Sequence, residues 1–583
     1  MMGLEEISHG QLPLTSFRNL RVVKVEHCDK LKFVFSSSIA RGLSQLEELE
    51  IRECSIMGAI VVKEGEIEDT DLILFPKLRC LALQHLPKLT SFLSTQNSFI
   101  TDSGEIISEG KLDVYMPILQ EQVVFPNLER LELSSIDLED IQCNQYRATR
   151  SSCILENMQS TSRFQNLSHL EVRGSSNIKY LLAFSIARLM VQLKHLHIVE
   201  CKVMEEILVT EELEVVEETV PKVLFPRLEC LFLKDLIVLR RFCIGSNIEF
   251  PSLKKLWIER CPKLKTFIFK PASSGRTVGK ELEEMNAEES PRTAVQPLFN
   301  EEVAFPSLKN LGISHMDDME IIWQNQFAVH SFCKLKTIKV EFCENLTNVF
   351  QSNMLARFQS LEELTVSDCG SLQEVFEMQG LNVKETHAGT TIQLKILYLA
   401  RLPKMKHVWN KDPQEFFSFQ NLKLIHAMQC ESLKNFFPAS VARCLMQLEQ
   451  LQIVDCGVEE IVAGEEGTEG EAITRFVFPQ VIHLCLDRLP RLKWFYPGRH
   501  ASEWPMLKDM LVGSCHKVDI FASELLSETL QESQLEISAK QPLFLVDEVR
   551  ALIYNLIGCP HLSRSDITYM ASKWNELTFH CDI

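Results

Sequence analysis

Along most of this chain the apolar positions recur in one fixed order. An aromatic or aliphatic residue is followed by apolar residues 3, 6 and 8 places later, by Cys or Leu at 11, and usually by another apolar residue at 14. Starts that fit are Phe17, Leu43, Phe75, Phe125, Phe164, Met190, Phe225, Phe250, Phe305, Phe332, Phe358, Thr391, Phe419, Leu445, Phe478 and Trp504, with Thr391 the weakest match. Sixteen units result, and their closest spacings are 25 to 28 residues. Positions within a unit are given below as offsets from its start.

Side chains alternate along a strand with period two, so the apolar residues at offsets 6 and 8 share one face of a short strand. A unit of this length cannot bury that face alone and must stack on its neighbours. The length and the pattern LxxLxLxx(C/N)xxL are those of a leucine-rich repeat. The predicted fold is an α/β leucine-rich-repeat solenoid, a horseshoe with a parallel concave β-sheet and with short helices and irregular turns on the convex side. Sixteen strands at ~4.8 Å spacing make an inner sheet roughly 70 Å along its arc. Four segments, SSSIARGL (36–43), AFSIARLM (183–190), SNMLARFQ (352–359) and PASVARCL (438–445), share an apolar–Ala–Arg core and predict a short amphipathic turn leading into the next unit.

Nineteen cysteines are an odd number, spread evenly, and nine of them, Cys28, Cys54, Cys201, Cys261, Cys343, Cys369, Cys430, Cys456 and Cys515, sit at offset 11. There the chain leaves the strand and turns inward. A small buried side chain with weak hydrogen-bonding ability suits the carbonyls of such a turn. A zinc site would want clustered CxxC or Cys/His spacing, and none is read here, so no metal is expected. The cysteines are read as ladder residues of the repeat, reduced rather than paired.

Insertions break the spacing at about 59–74, 94–124, 205–224, 270–304, 373–390 and 457–477. They carry most of the charge imbalance. The acidic stretches 64–71, 205–218, 281–289 and 464–471 contain no Lys or Arg and hold 21 of the 79 acidic residues, leaving 58 against 60 bases. Solvated loops account for such runs. The domain reading is a lead-in at 1–16, a solenoid at 17–518 and a divergent tail at 519–583, where QPLFLVDEVRALIYNL (541–556) begins like QPLFNEEVAFPSLKNL (296–311) but no repeat follows.

The composition excludes several functions. A net charge of −19 argues against a nucleic-acid groove, which needs a basic stripe. No run of 18 or more apolar residues occurs, and the N-terminus lacks a basic-then-apolar signal pattern, so no membrane partner is expected and the chain reads as intracellular, cytoplasmic with nuclear residence as the alternative. GRTVGKE (275–281) lacks one spacer residue and the Ser/Thr of a phosphate loop, and HExxH and GxSxG are absent. Paired acids such as Glu362–Glu363 fall on solvent-facing strand flanks, with no enclosed site for acid–base work. No catalytic residue and no cofactor is predicted, and the chain reads as a non-enzyme.

The joint presence of FPKLRCLALQHLPKL (75–89, with 478–492 a copy carrying Arg for Lys), the looser pair 19–35 and 421–437, and CKVMEEIL/CGVEEIV (201–208, 456–462) resembles plant intracellular immune receptors. The likeness is to the leucine-rich-repeat region of the coiled-coil, nucleotide-binding class. It covers residues about 10 to 518, and the coiled-coil and nucleotide-binding domains of such receptors have no counterpart in this sequence. The resemblance implies pathogen perception through a pathogen effector or guarded host protein, regulation of receptor activation, and association with the nucleotide-binding domain of a full-length receptor. The rival reading is a repeat adaptor or scaffold outside immunity, such as a ubiquitin-ligase substrate receptor, for which the 16 residues before the first unit are too short to supply an F-box-like segment.

Concave solvent-facing positions fall at offsets 4, 5, 7, 9 and 10, and most hold charged or small residues. Offset 7 departs from this in consecutive units that carry His197, Phe232 and Trp257, and again at Tyr398 and His426. Aromatic rings on a curved sheet are candidate anchors for a protein partner. The competing reading is local packing, with insertion loops folded over the rings.

Overall fold

In the computed structural model, the described residues are 17–63, 73–95, 123–136, 165–209, 222–270, 296–324, 327–328, 330–378, 390–413, 417–464, 474–498, 500–523 and 542–546. The start at Phe164, the lead-in 1–16 and most of the acidic stretches lie outside them.

Every unit supplies one five-residue strand, and each begins at offset 5. The first eight are β1 Val22–Glu26, β2 Glu48–Arg52, β3 Cys80–Gln84, β4 Arg130–Ser134, β5 His169–Arg173, β6 His195–Val199, β7 Cys230–Lys234 and β8 Lys255–Glu259. The second eight are β9 Asn310–Ser314, β10 Thr337–Glu341, β11 Glu363–Ser367, β12 Ile396–Ala400, β13 Leu424–Met428, β14 Gln450–Val454, β15 His483–Asp487 and β16 Asp509–Gly513. They form one 16-stranded sheet in chain order. All pairs are parallel and in register, offset against equal offset, as in Leu196↔Leu231↔Leu256↔Leu311. Insertions of very different length therefore leave the inner sheet undisturbed.

The core runs along the inside of that sheet. In the interior units offsets 6 and 8, such as Leu256 and Ile258 or Leu364 and Val366, are buried, and each buried side chain contributes about 2 kcal/mol. Aromatic rings from the convex return, joined by the unit-starting Phe358, form its outer layer. Rings in contact run without a break from Phe242 through Phe267, Phe299, Trp323, Phe358, Phe350, Phe376 and Trp409 to Phe437, at centroid separations of 4.9–6.2 Å. Such offset and edge-on stacks add to their burial energy.

One feature recurs at offset 10. In all sixteen units this residue is left-handed, with φ between +49° and +61°, yet only Gly174 is glycine. Left-handed backbone costs an L-residue roughly 1–2 kcal/mol. The conformation persists because the residue's N–H still donates into the ladder, as Glu200 to the Lys234 carbonyl at 2.9 Å, while the next residue plunges into the core. Nine of those next residues are the offset-11 cysteines, and every one of the nine thiols donates to the carbonyl two residues back at 3.3–3.5 Å. No disulfide involves them. The ladder role expected from the spacing is the one observed.

The convex return is more regular than expected. Ser37–Gly42, Phe184–Leu189 and Ala439–Cys444 are short α-helices and Ser352–Arg357 is a 3₁₀ turn, at the four predicted segments. Between them run short parallel strands, among them Ala59–Lys63, Glu206–Val209, Glu374–Phe376 and Glu460–Val462. These lie inside stretches taken as insertions, so the insertions are shorter than the spacing suggested. The EEI motif at 205–207 and 459–461, which the spacing placed inside insertions, is accordingly an outer strand from its second acid onward. Its second acid is held by the frame, since Glu206 pairs with Arg241 at 3.0 Å and Glu460 accepts from the Trp494 indole at 3.2 Å. Beyond 518, strands Asp519–Ser523 and Pro542–Val546 pair in parallel; the rest of the tail lies outside the described residues.

Candidate functional site

The five candidate anchors project from the concave sheet. Register places Glu171, His197, Phe232, Trp257 and Gly312 side by side on β5 to β9, and Tyr398 beside His426 on β12 and β13. None of the five is fully exposed; each is half-buried. His197 meets Phe232 edge-on at 5.8 Å, and Tyr398 meets His426 perpendicular at 5.0 Å. The two groups are separated by Lys339 and Thr365 at the same offset on β10 and β11, so they form two patches.

Trp257 is seated by its neighbour. A Cβ built on Gly312 would stand 2.5 Å from Trp257 Cδ2 and nearer still to the six-membered ring, so the indole lies across the one strand that offers no side chain at offset 7. The ring is thus partly packed and partly open, between the two readings weighed from the sequence. Residues 210–221 and 271–295, within the insertions that the competing reading folds over the rings, lie outside the described residues.

Burial sets the titration of this face. Desolvation, followed by the charge of neighbouring histidines and of Arg130 and Lys194, pushes His169 down to about 4. Desolvation also lowers His195, His197 and His426 and raises the Tyr398 phenol. Burial thus favours the neutral form of each ring, and with it contact with apolar or hydrogen-bonding surfaces.

The structure also gathers residues that the spacing argument passed over. His169, His195 and Cys230 stand opposite one another at offset 5 of β5, β6 and β7, directly beside the offset-7 row. The signal was the His-x-His pair at 195–197, which on a strand puts both rings on one face. The third member could not be seen, because its strand lies beyond an insertion. Along the whole sheet the flanking charges pair across strands, as in Arg79–Glu129, Lys254–Glu229 and Lys423–Glu449 at 2.8–2.9 Å. Exposed pairs of this kind are worth little individually. Among the described residues no helix is long and apolar enough to cross a membrane.

Comparison with known proteins follows the repeat. The family model described as plant disease resistance protein RPS2-like, leucine-rich repeats, matches residues 1–104, 127–290 and 307–457. A probable disease resistance protein of Arabidopsis thaliana is 30% identical over 132 residues, which is 22% of this chain and 14% of that protein's length. Among solved structures, an internalin (inlF) of Listeria monocytogenes is 11% identical and covers 81% of each chain at a TM-score of 0.25. A plant peptide hormone receptor, RGFR1 in complex with RGF2, is 11% identical over 92% of this chain and 81% of that one, also at a TM-score of 0.25. The matched repeats span most of the sequence, and the chain belongs to the plant disease resistance proteins with RPS2-like leucine-rich repeats.

Proposed function

We propose that this solenoid is the protein-recognition region of a plant innate immune receptor, binding a pathogen effector or a guarded host protein on its concave sheet. It has no catalytic activity of its own, works in the cytoplasm, and regulates receptor activation through contact with a nucleotide-binding domain. The observation that carries the reading is the in-register row His197, Phe232 and Trp257 on a sheet whose other offset-7 positions are mostly charged or small. Half-buried rings held in place by neighbours lose little conformational entropy on binding, which is what interface anchors require. Extended concave surfaces are the binding faces of solenoids in general.

The test compares Trp257→Ala, Phe232→Ala and a Lys339→Ala control in leaves challenged with a pathogen. Proteins captured by the chain are identified and quantified by mass spectrometry, and thermal melting is followed in parallel. A defined effector or host protein should be retained by wild type and Lys339→Ala and be depleted tenfold or more by the two ring variants. Equal capture by Trp257→Ala, Phe232→Ala and wild type overturns the concave-anchor reading.

A further inference from the structure

On the concave face, the imidazoles of His195 and His197 and the thiol of Cys230 offer donor atoms that all lie within 4.8 Å of one another, the one such His/Cys/Asp/Glu group found among the described residues. We infer that these three side chains form a binding site for a zinc-like transition-metal ion. The inference does not rest on the protein-recognition reading, although His197 takes part in both.

Geometry supports it first. His195 and His197 are two apart on β6 and therefore share a face, while Cys230 is the register partner of His195 on β7. The Cys230 Sγ stands 3.9 Å from His197 Nε2. Zinc–nitrogen and zinc–sulfur bonds of about 2.0–2.1 and 2.3 Å place tetrahedral donors roughly 3.3–3.7 Å apart. Closure therefore needs less than about 1.5 Å of movement from half-buried side chains that can turn about χ1.

The surroundings fit a ligand set. His197 shows Nε2 to the thiol and Nδ1 to Glu171, whose carboxylate Oε2 is 3.9 Å away, so a small rotation would complete the carboxylate–histidine–metal arrangement that orients ligating imidazoles. His169 stacks on His195 at 4.3 Å with the rings 9° from parallel, and Ser168 Oγ lies 2.8 Å from His169 Nδ1, so the His195 ring is steadied from behind. Two imidazoles and a thiolate select zinc or a softer ion over magnesium and calcium, which take oxygen donors. Binding replaces the Cys230 thiol proton with the metal and releases that proton to solvent. The remaining coordination position would open onto the concave groove, toward solvent or a side chain of a bound partner.

The test uses the full reduced chain and metal alone. Cobalt titration should saturate at one ion with a near-ultraviolet sulfur-to-cobalt charge-transfer band and tetrahedral visible bands, both abolished by equimolar zinc. Cys230→Ser should remove the charge-transfer band, and His195→Ala and His197→Gln should each weaken zinc binding by 100-fold or more in competition with a chromophoric chelator. Glu171→Gln should weaken it about 10-fold, while Cys80→Ser, altering another half-buried concave thiol, should leave it unchanged. Melting in the absence of metal shows that each variant is folded; zinc should raise the melting temperature of wild type and not that of Cys230→Ser. Absence of stoichiometric cobalt in wild type overturns the inference. So does a charge-transfer band that survives in Cys230→Ser, or zinc affinity unchanged in both histidine variants.

Discussion

Two glycines occupy the same place in the repeat, and replacing each with alanine should have very unequal consequences. Gly370 and Gly457 both follow a ladder cysteine, at offset 12 of their units. Neither backbone is left-handed, so the difference must come from what a methyl group would touch. At Gly457 the new Cβ would fall deep inside the Glu431 carbonyl oxygen of the preceding unit, with the carbonyl carbon at 2.7 Å. A backbone carbonyl cannot swing aside alone. Moving it strains the bond from the Gly457 N–H to the Cys430 carbonyl, now 3.0 Å, and shifts a turn that buries Cys430 and Cys456. Loss of that hydrogen bond at about 1 kcal/mol and overpacking at 1–3 kcal/mol give a cost of roughly 2–4 kcal/mol for Gly457→Ala. At Gly370 the overlap is with the Glu344 carboxyl group, whose Cδ would be 2.6 Å away. Glu344 is exposed and its carboxylate is free to rotate into solvent, so Gly370→Ala should change stability by less than about 0.5 kcal/mol. Urea unfolding followed by circular dichroism reads both, with hydrogen exchange of units 13 and 14 for Gly457→Ala and of units 10 and 11 for Gly370→Ala as the local measure, because repeat arrays need not unfold as one. Equal stability losses in the two variants would refute the reasoning, as would a Gly457→Ala protein that melts like wild type.

Leu256→Ala, at a fully buried offset-6 position, should cost about 2–5 kcal/mol of stability, whereas Trp257→Ala, half-buried one residue on, should cost clearly less; thermal melting of the pair decides. Glu200→Val puts a β-branched residue at φ +58° and should destabilise by about 1–2 kcal/mol, while Glu200→Gly should be neutral or stabilising in the same assay. Without reductant, the nine offset-11 thiols should alkylate after denaturation, as mapped by mass spectrometry. In the native protein Cys261, pushed up to about 12 by burial, and Cys201, pushed up to about 11, should react far more slowly at pH 8 than after unfolding. Cys369→Ser should keep the thiol's bond to the Ser367 carbonyl and be tolerated, whereas Cys369→Leu should cost roughly 1–3 kcal/mol by overpacking a turn bounded by Cys343.

The inner sheet was legible in the residue order because its cause is local. An apolar pair at offsets 6 and 8 can bury only on one face of a strand, so each of the sixteen strands begins five residues after its marked start, from Val22 to Asp509. The same locality placed the cysteine ladder at nine offset-11 positions and put the five candidate rings on the concave face. The left-handed residue at offset 10 was not legible, because fifteen of the sixteen positions are non-glycine and the ladder bond that accompanies the conformation from His27 to Arg488 runs to the next unit. Nor were the outer strands, whose pairing partners sit one unit away across the convex return. Tertiary stacking alone brought Cys230 to His197, 33 residues back in the chain, and set the Trp257 indole over Gly312, 55 residues ahead across the 271–295 stretch. Periodicity tells which face a side chain takes within its own unit. Which side chains meet across units depends on register between strands joined by insertions of unequal length, and that register exists only once the sheet has formed.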